Sequence, residues 1–372
     1  MMVKKHSALF KFFFVFLIVT AIVAAAIFRV EENRLLISNW IKGGVHPIRG
    51  ELSLISVTPK VPAHTDAFLC GQNLVLWQEN KVIFLTKDNE VLNEREVIFE
   101  NPKIVPGKGR CVIFGKGEKE IFIFNERGNR THIIKTSNPV EAVKDLGDYI
   151  GVIEREEFSE FLELFYPDGT LLFSKKRRVG HFGNFSYDRK SGRVCYITFS
   201  YLDGKIASKI HFVDLSGKEI EDSLLLDELI IDAAFRKDAY VYALKDNLFF
   251  SNNTSKKLFG EVLTTKGEIG GGEILSISIG DTVGILTKDR FIETDFNGNL
   301  LLNISHSMGE GKIEKFDKGF LVSGKSGFFI VENGKLMLEE KVDISECITN
   351  GRLILLFSEE GARWNDLKYV PE

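Results

Sequence analysis

Short apolar runs alternate with tight turns along this chain, and the combination recurs about every 40 residues. In one copy, apolar residues at 121–124 and 132–134 flank a turn that ends at Gly128. Gly, Asn and Asp suit such turns because they tolerate the positive φ of tight hairpins. Seven turn markers are separated by 39, 41, 48, 36, 45 and 36 residues: Asn89, Gly128, Gly169, Gly217, Asn253, Gly298 and Gly334. This period predicts an all-β protein, a β-propeller of four-stranded blades.

The two ends of the chain determine how many blades are expected. Strand-like runs at 345–349, at 353–357 and up to Val370 begin a blade that lacks an outer strand. Residues 51–57 alternate apolar and polar positions and read as an isolated strand. If 51–57 completes the last blade, the propeller has eight blades, which is the preferred interpretation. If the terminal strands instead merge with an existing blade, it has seven.

The N-terminus carries a second pattern. An apolar run begins at Phe12 and ends at Phe28, with Thr20 as its one polar residue, and lysines precede it. This length is within the range of ~17–25 residues for a single transmembrane helix. The alternative is a signal peptide that is cleaved after the alanines at 24–26, but the run exceeds the ~7–15 residues of a usual signal-peptide core. The uncleaved membrane anchor is therefore preferred.

The predicted organisation rests on these two patterns. Residues 1–11 form a short basic cytoplasmic tail, 12–28 the transmembrane helix, 29–50 a juxtamembrane linker and 51–372 the propeller domain. Lys and Arg are equally frequent on both sides of the apolar run, so the positive-inside rule says little about the orientation of the helix in the membrane. A single anchor with a short basic tail commonly exports the C-terminal remainder of its chain. We therefore expect a single-pass protein of the cell membrane with an extracytoplasmic propeller.

Composition narrows the class of partner and of chemistry. The chain has 372 residues, of which 44% are hydrophobic, and this is enough for a large buried core. A formal net charge of −4 argues against nucleic acid as a partner. Cys70, Cys111, Cys195 and Cys347 all lie in apolar runs and form no C-x-x-C pair. They are expected to be small buried hydrophobic residues and not metal ligands or redox centres.

Sequence motifs for catalysis or cofactor binding are missing. Asp295, Asn297 and Asn299 have the spacing of the first three ligands of a calcium-binding loop. Leu300 and His306, however, occupy the sixth and twelfth positions, where such a loop needs Gly and an acid. A hairpin turn is therefore expected. The glycines at 270–272 are not followed by the Lys-Ser/Thr of a phosphate-binding loop. No G-x-S-x-G or H-E-x-x-H pattern is present. No catalytic, cofactor-binding or metal-binding residue is therefore predicted.

Two charged runs and four single residues are weaker candidates. The basic run 175–178 could attract acidic polymers or lipid head groups, although a solvated loop between blades is the simpler interpretation. The acidic run 154–157 is expected to be a solvated hairpin tip. His181, between Gly180 and Phe182, is the loop histidine to test for function. Asp66, Glu141 and Asp232 are candidates for the central channel because each comes at an expected innermost strand.

The chain resembles an uncharacterised family of bacterial membrane-anchored β-propeller proteins. The resemblance covers the whole chain and is carried by the apolar run at 12–28 and the strand and turn segments 149–153, 165–169 and 213–218. These segments are not site motifs, and the family has no assigned activity, so the resemblance implies architecture and location only. The chain departs from better-known propellers in having no Trp-Asp dipeptide at its blade ends.

The predicted function is a non-enzymatic binding or scaffold module. A propeller offers a rigid surface with variable loops, and a protein partner is expected on a loop face. The alternative is an extracytoplasmic enzyme, or a receptor for a sugar or another small ligand, that uses the central channel. That alternative would be favoured if several acids or histidines met at one mouth of the channel and had pKa values shifted away from one another.

Overall fold

The computed structural model describes residues 48–55 and 67–369, apart from 79, 108, 221–223, 237–238, 245–246, 253–261, 265–273, 297, 310, 317, 350–352 and 359–360. The chain divides into two compact units, one of Glu51–Asp366 and one of Met1–Gly50 with Leu367–Glu372. The predicted transmembrane helix at 12–28 and the candidate Asp66 lie outside the described residues. Within the described ranges, no helix is long and apolar enough to cross a membrane.

The described strands form eight four-stranded sheets. Seven of them are blades of four consecutive antiparallel strands. The strand before them is β1 (Ile48–Ile55). Blade 1 contains β2 (Ala67–Cys70), β3 (Asn73–Gln78), β4 (Lys81–Leu85) and β5 (Val91–Glu96). Blade 2 contains β6 (Pro102–Gly107), β7 (Arg110–Gly115), β8 (Glu120–Asn125) and β9 (Arg130–Lys135).

The next three blades include the longest strands of the described chain. Blade 3 contains β10 (Val140–Asp145), β11 (Ile150–Glu156), β12 (Ser159–Phe165) and β13 (Leu171–Arg177). Blade 4 contains β14 (His181–Asp188), β15 (Arg193–Leu202), β16 (Lys205–Asp214) and β17 (Leu224–Leu226). Blade 5 contains β18 (Asp232–Arg236), β19 (Ala239–Ala243), β20 (Asn247–Asn252) and β21 (Val262–Thr264). The strands β15 and β16 have 10 residues each.

The remaining strands complete the set. Blade 6 contains β22 (Ile274–Ile279), β23 (Val283–Thr287), β24 (Arg290–Thr294) and β25 (Leu300–Ser305). Blade 7 contains β26 (Lys312–Phe316), β27 (Gly319–Gly324), β28 (Gly327–Glu332) and β29 (Lys335–Glu340). The last three strands are β30 (Glu346–Thr349), β31 (Leu353–Ser358) and β32 (Gly361–Tyr369). They form the eighth sheet together with β1, in the order β1-β32-β31-β30.

The eighth sheet combines strands from both ends of the chain. The isolated N-terminal strand takes the outer position next to β32, as predicted. Its bounds are Ile48–Ile55 and not the predicted 51–57. The strand begins three residues earlier and ends two residues earlier than predicted. As a result, β32 is covered by β1 on its open side.

The hydrophobic core lies between neighbouring blades. Each side-chain cluster combines apolar residues from two adjacent sheets, because a blade exposes one apolar face to each neighbour. Val152 of blade 3, for example, packs with Val112 of blade 2. One cluster joins Trp364 and Leu355 of the eighth sheet to Leu74 of blade 1. This contact brings the last sheet against the first one.

The turn residues that mark the repeat adopt the predicted backbone conformation. Asn89 has a φ of 66°, and Gly128 and Gly169 have φ values of 76° and 91°. A Cβ at Gly128 would also collide with the ring of Phe84, so both conformation and space require glycine there. The marker Asn253 lies outside the described residues. The predicted period therefore reflects one hairpin turn in each blade.

The four cysteines are buried, as predicted. Cys70, Cys111, Cys195 and Cys347 are free and buried. Cys70 and Cys111 come from blades 1 and 2 and share one apolar cluster. The side-chain interaction with Cys70, together with burial, raises the pKa of Cys111 well above its ordinary value.

Candidate functional site

The two faces of the ring differ in which turns they carry. We call the front face the end where the innermost strand of each blade begins. Because neighbouring strands alternate in direction, the hairpin between the second and third strands also lies on the front face. The loop that leads from one blade into the next lies there too. The hairpin between the third and fourth strands lies on the opposite, back face.

Large apolar side chains are exposed on the front face of blades 3 and 4. The hairpin of β15 and β16 pairs without interruption from Arg193↔Asp214 to Leu202↔Lys205. Near its turn, Tyr201 is 70% exposed and Ile206 is 46% exposed. Phe158, in the turn between β11 and β12, and Val179, in the loop after β13, are 77% and 69% exposed. We call Phe158, Val179, Tyr201 and Ile206 the front patch.

A buried carboxylate fixes the loops beneath the front patch. Glu160, at the start of β12, is 4% exposed. Its carboxylate accepts hydrogen bonds from Arg155 Nη2 at 2.7 Å and from the backbone N–H of Phe182 at 2.8 Å. His181 Nδ1 lies 2.8 Å from the same group. Burial alone would raise the pKa of Glu160, but the bonds from His181, Phe182 and Arg155 together hold it below its usual range.

This network includes two of the sequence candidates. His181, whose side chain is 68% exposed, begins β14 and joins blade 4 to Glu160 of blade 3. The carboxylate of Glu141 forms two ion pairs. Lys116 Nζ lies 2.6 Å from its Oε1, and Arg155 Nη1 lies 3.6 Å from its Oε2. Both residues therefore hold front-face loops in place. Sequence reasoning did not identify Glu160 and Arg155, because their pairing depends on strand register and not on a spacing motif.

The acidic run 154–157 differs from its prediction at one position. Glu156 and Glu157 are exposed, but Glu154 is fully buried, so the expectation of a solvated run is wrong for Glu154. Strand alternation turns Glu154 inward, where its carboxylate accepts the backbone N–H of Asn138 at 2.9 Å. Burial, followed by a hydrogen bond with Glu163, raises the pKa of Glu154 to about 7.

The basic run 175–178 is not the solvated inter-blade loop that was expected. β13 extends to Arg177, so three of its four residues belong to a strand and their side chains alternate between its two sides. Lys176 Nζ lies 3.4 Å from Glu156 Oε2 and 4.7 Å from the centre of the Phe161 ring. Arg177 points to blade 4, where Nη2 lies 3.5 Å from the Phe199 carbonyl oxygen.

A second polar arrangement crosses the innermost strands of blades 3, 4 and 5. Lys144 Nζ donates to Asn184 Oδ1 at 2.8 Å, and Asn184 Nδ2 donates to Asp232 Oδ1 at 2.8 Å. Burial is the main cause that lowers the pKa of Lys144 and raises that of Asp232. The structure therefore places the candidate Asp232 in the channel wall. It does not bring Asp232 together with Glu141, which pairs with Lys116 and Arg155.

In the described part of the chain, no three His, Cys, Asp or Glu residues are grouped so that they could hold a metal ion.

A surface recess on the back face of blade 2 is lined by Gly109 and by residues of the turn at 125–129. Asn125 Oδ1 accepts the backbone N–H groups of Arg127 and Asn129 at 3.0 Å each, so this carboxamide stabilises the turn.

Comparison with solved structures supports the fold alone. BamB from Moraxella catarrhalis superposes with a TM-score of 0.54 and 11% sequence identity, covering 86% of this chain and 100% of that one. Sqt1 from Saccharomyces cerevisiae gives a TM-score of 0.54 and 10% identity, covering 81% of this chain and 94% of its own. No curated protein matches the sequence. Residues 58–343 match the model of a family of unknown function, and the chain therefore belongs to that family, DUF5711.

Proposed function

We propose that this protein is a membrane-anchored, extracytoplasmic binding or scaffold module that binds a protein partner through the front patch. The observation that carries the proposal is the exposure of Phe158, Val179 and Tyr201, each about 70% or more, on adjacent front-face loops. Large apolar side chains that cluster at a surface mark sites of protein association. Tyr and Phe are also enriched at the core of such interfaces.

The loops that carry the front patch are held rigid. Glu160 connects the β11–β12 hairpin, through Arg155, to the start of β14, through His181 and Phe182. The β15–β16 hairpin is paired to its tip. A surface that is already ordered loses less conformational entropy on binding, and this favours affinity.

The charges beside the patch are of both signs. Arg178 is exposed before Val179 and Lys205 before Ile206, whereas Glu157 is exposed before Phe158 and Asp203 is exposed in the turn between β15 and β16. A partner surface that combines apolar side chains with charges of both signs is complementary to this arrangement. The anchor at 12–28 and its orientation are supported by the apolar run and the basic tail of the sequence.

A pull-down tests the proposed surface. Detergent-solubilised full-length protein with Tyr201→Ser and Ile206→Ser is expected to recover at least about tenfold less of its partner from crosslinked native membranes than the wild type. The matched control is Leu171→Ser, which removes an exposed apolar side chain, 47% exposed, from the back face of blade 3. Equal recovery by wild type and double variant, or equal loss in the control, contradicts the proposal.

A receptor for a small ligand in the central channel is the second candidate. The specific observation that favours it is the Lys144–Asn184–Asp232 arrangement, which places a cation and an acid with oppositely shifted pKa values in the channel wall. In the structure these groups bind one another, and a channel ligand would compete with those bonds. The front patch therefore remains the better-supported site.

A further inference from the structure

The interface between blades 3 and 4, which we call the seam, changes from apolar to charged side chains along its length. Near the back face it is apolar, with Phe173 of β13 packed with Val194 and Val213 of blade 4. Towards the front face the same side of β13 continues with Lys175 and then Arg177, because alternate strand residues share a side. Towards the front face, the side of β13 that faces blade 4 therefore changes from an apolar residue to cationic ones.

The middle strands of blade 4 face these cationic residues of β13. The registers Tyr196↔His211 and Thr198↔Lys209 place these four side chains on one side of the sheet. The rings of Tyr196 and His211 stack with their centres 4.6 Å apart. Thr198 Oγ1 lies 3.0 Å from His211 Nε2. We call Lys175, Arg177, Thr198, Lys209 and His211 the seam groove.

The guanidinium of Arg177 has little compensation for its partial burial. Its Nε is buried without a hydrogen-bond partner in the described part of the chain, and its bond to the Phe199 carbonyl oxygen is long, at 3.5 Å. Burial lowers the pKa of Arg177. The carboxylate of Glu160, which is the register partner of Arg177 on β12, acts on Arg177 only through its charge, because its hydrogen bonds are taken by Arg155, His181 and Phe182. A desolvated cation with so few partners favours the approach of an anion.

His211 shows how closely the cations converge. Its side chain is 12% exposed, and burial, followed by the charges of Lys209, Arg177 and Lys175, lowers its pKa to about 4. The imidazole is therefore neutral at neutral pH and adds no charge of its own to the three cations around it. Glu219, 47% exposed, lies at one edge, 3.5 Å from His211 Nδ1 and 3.3 Å from the Tyr196 hydroxyl.

We propose that the seam groove binds the phosphate group of a ligand. Arg177 would supply a planar pair of donors, and Lys175 and Lys209 would supply two point charges, while Thr198 and His211 are bonded to one another beside them. The apolar floor below them excludes water and strengthens each of these contacts. This site is separate from the front patch and does not depend on the proposed protein partner.

Titration calorimetry on the full-length protein in neutral detergent tests the site with two probes. Inorganic phosphate represents a free ion, and glycerophosphoglycerol represents the headgroup of an anionic lipid. At least one probe is expected to bind, and Arg177→Gln and Lys209→Gln are each expected to weaken that binding at least about tenfold. The probe that binds more tightly identifies the source of the phosphate group.

The matched control is Lys176→Gln. It removes the same charge from the neighbouring position of β13, but Lys176 points away from the groove to Glu156 and Phe161. Binding by this variant is expected to match the wild type. Two variants from different blades keep the test valid if one of them fails to fold. Absence of binding by both probes, or an equal loss in Lys176→Gln, would overturn the proposal.

Discussion

Replacing Trp364 with alanine is expected to lower the free energy of unfolding by about 3–5 kcal/mol, the usual cost of removing a large buried aromatic side chain. Trp364 is 5% exposed and lies in the cluster that packs the eighth sheet against blade 1. It pairs with Leu355 of β31, so the cavity would open beside the contact between the last and first sheets. Chemical denaturation followed by tryptophan fluorescence or circular dichroism measures the change.

Trp364→Phe is the matched control for this prediction. The indole Nε1 of Trp364 is buried and has no hydrogen-bond partner among the residues that the structure describes. Phenylalanine keeps most of the apolar contact and removes this unsatisfied donor, so the change is expected to stay below about 1.5 kcal/mol. If Trp364→Ala destabilises the protein no more than Trp364→Phe does, the packing between the last and first sheets is not as described.

Glu154→Gln is expected to stabilise the protein at pH 8 by about 3 kcal/mol. The pKa of Glu154 is raised from 4.5 to about 7, so the folded state holds its proton more tightly than the unfolded chain does. This carboxyl group therefore costs the wild type stability progressively as the pH rises from 4.5 to about 7, and the cost is complete above that range. Glutamine stays neutral and still accepts the bonds from Asn138.

Melting temperatures from pH 4 to pH 9 provide the measurement. The stability advantage of Glu154→Gln should be small near pH 4 and grow through the titration range. Glu157→Gln, which neutralises an exposed carboxylate in the turn that follows β11, is the control and should match the wild type at every pH. A pH-independent advantage would contradict a buried Glu154 carboxyl group whose pKa is raised.

The repeat and the composite eighth sheet could be predicted because both rest on local physics. Gly128 and Gly169 are needed where the backbone takes a positive φ, and apolar strands flank each turn, so the hairpins are visible in one dimension. The strand at the N-terminus was predicted from its alternation and from the lack of an outer strand at the C-terminus. Its bounds shifted because alternation does not fix where a strand begins.

The candidate site was harder to predict because it depends on side chains from different strands. Glu154 and Glu157 belong to one acidic run, yet only strand register shows that the first is buried. Lys175 and Lys176 are neighbours in sequence but point to opposite sides of β13. His181 was singled out as an isolated loop histidine, and its partner Glu160 comes from the preceding blade. None of these relations has a fixed spacing in sequence.

In-cell photocrosslinking tests the proposed function most directly. A photoreactive phenylalanine analogue at position 201, in the front patch, is expected to capture a defined protein partner in the native cell. The same analogue at position 171, on the back face of blade 3, should capture little of that partner. Crosslinking to one partner from 201 but not from 171 is the predicted result. No partner from 201, or equal capture from both positions, would contradict the front patch as the binding surface.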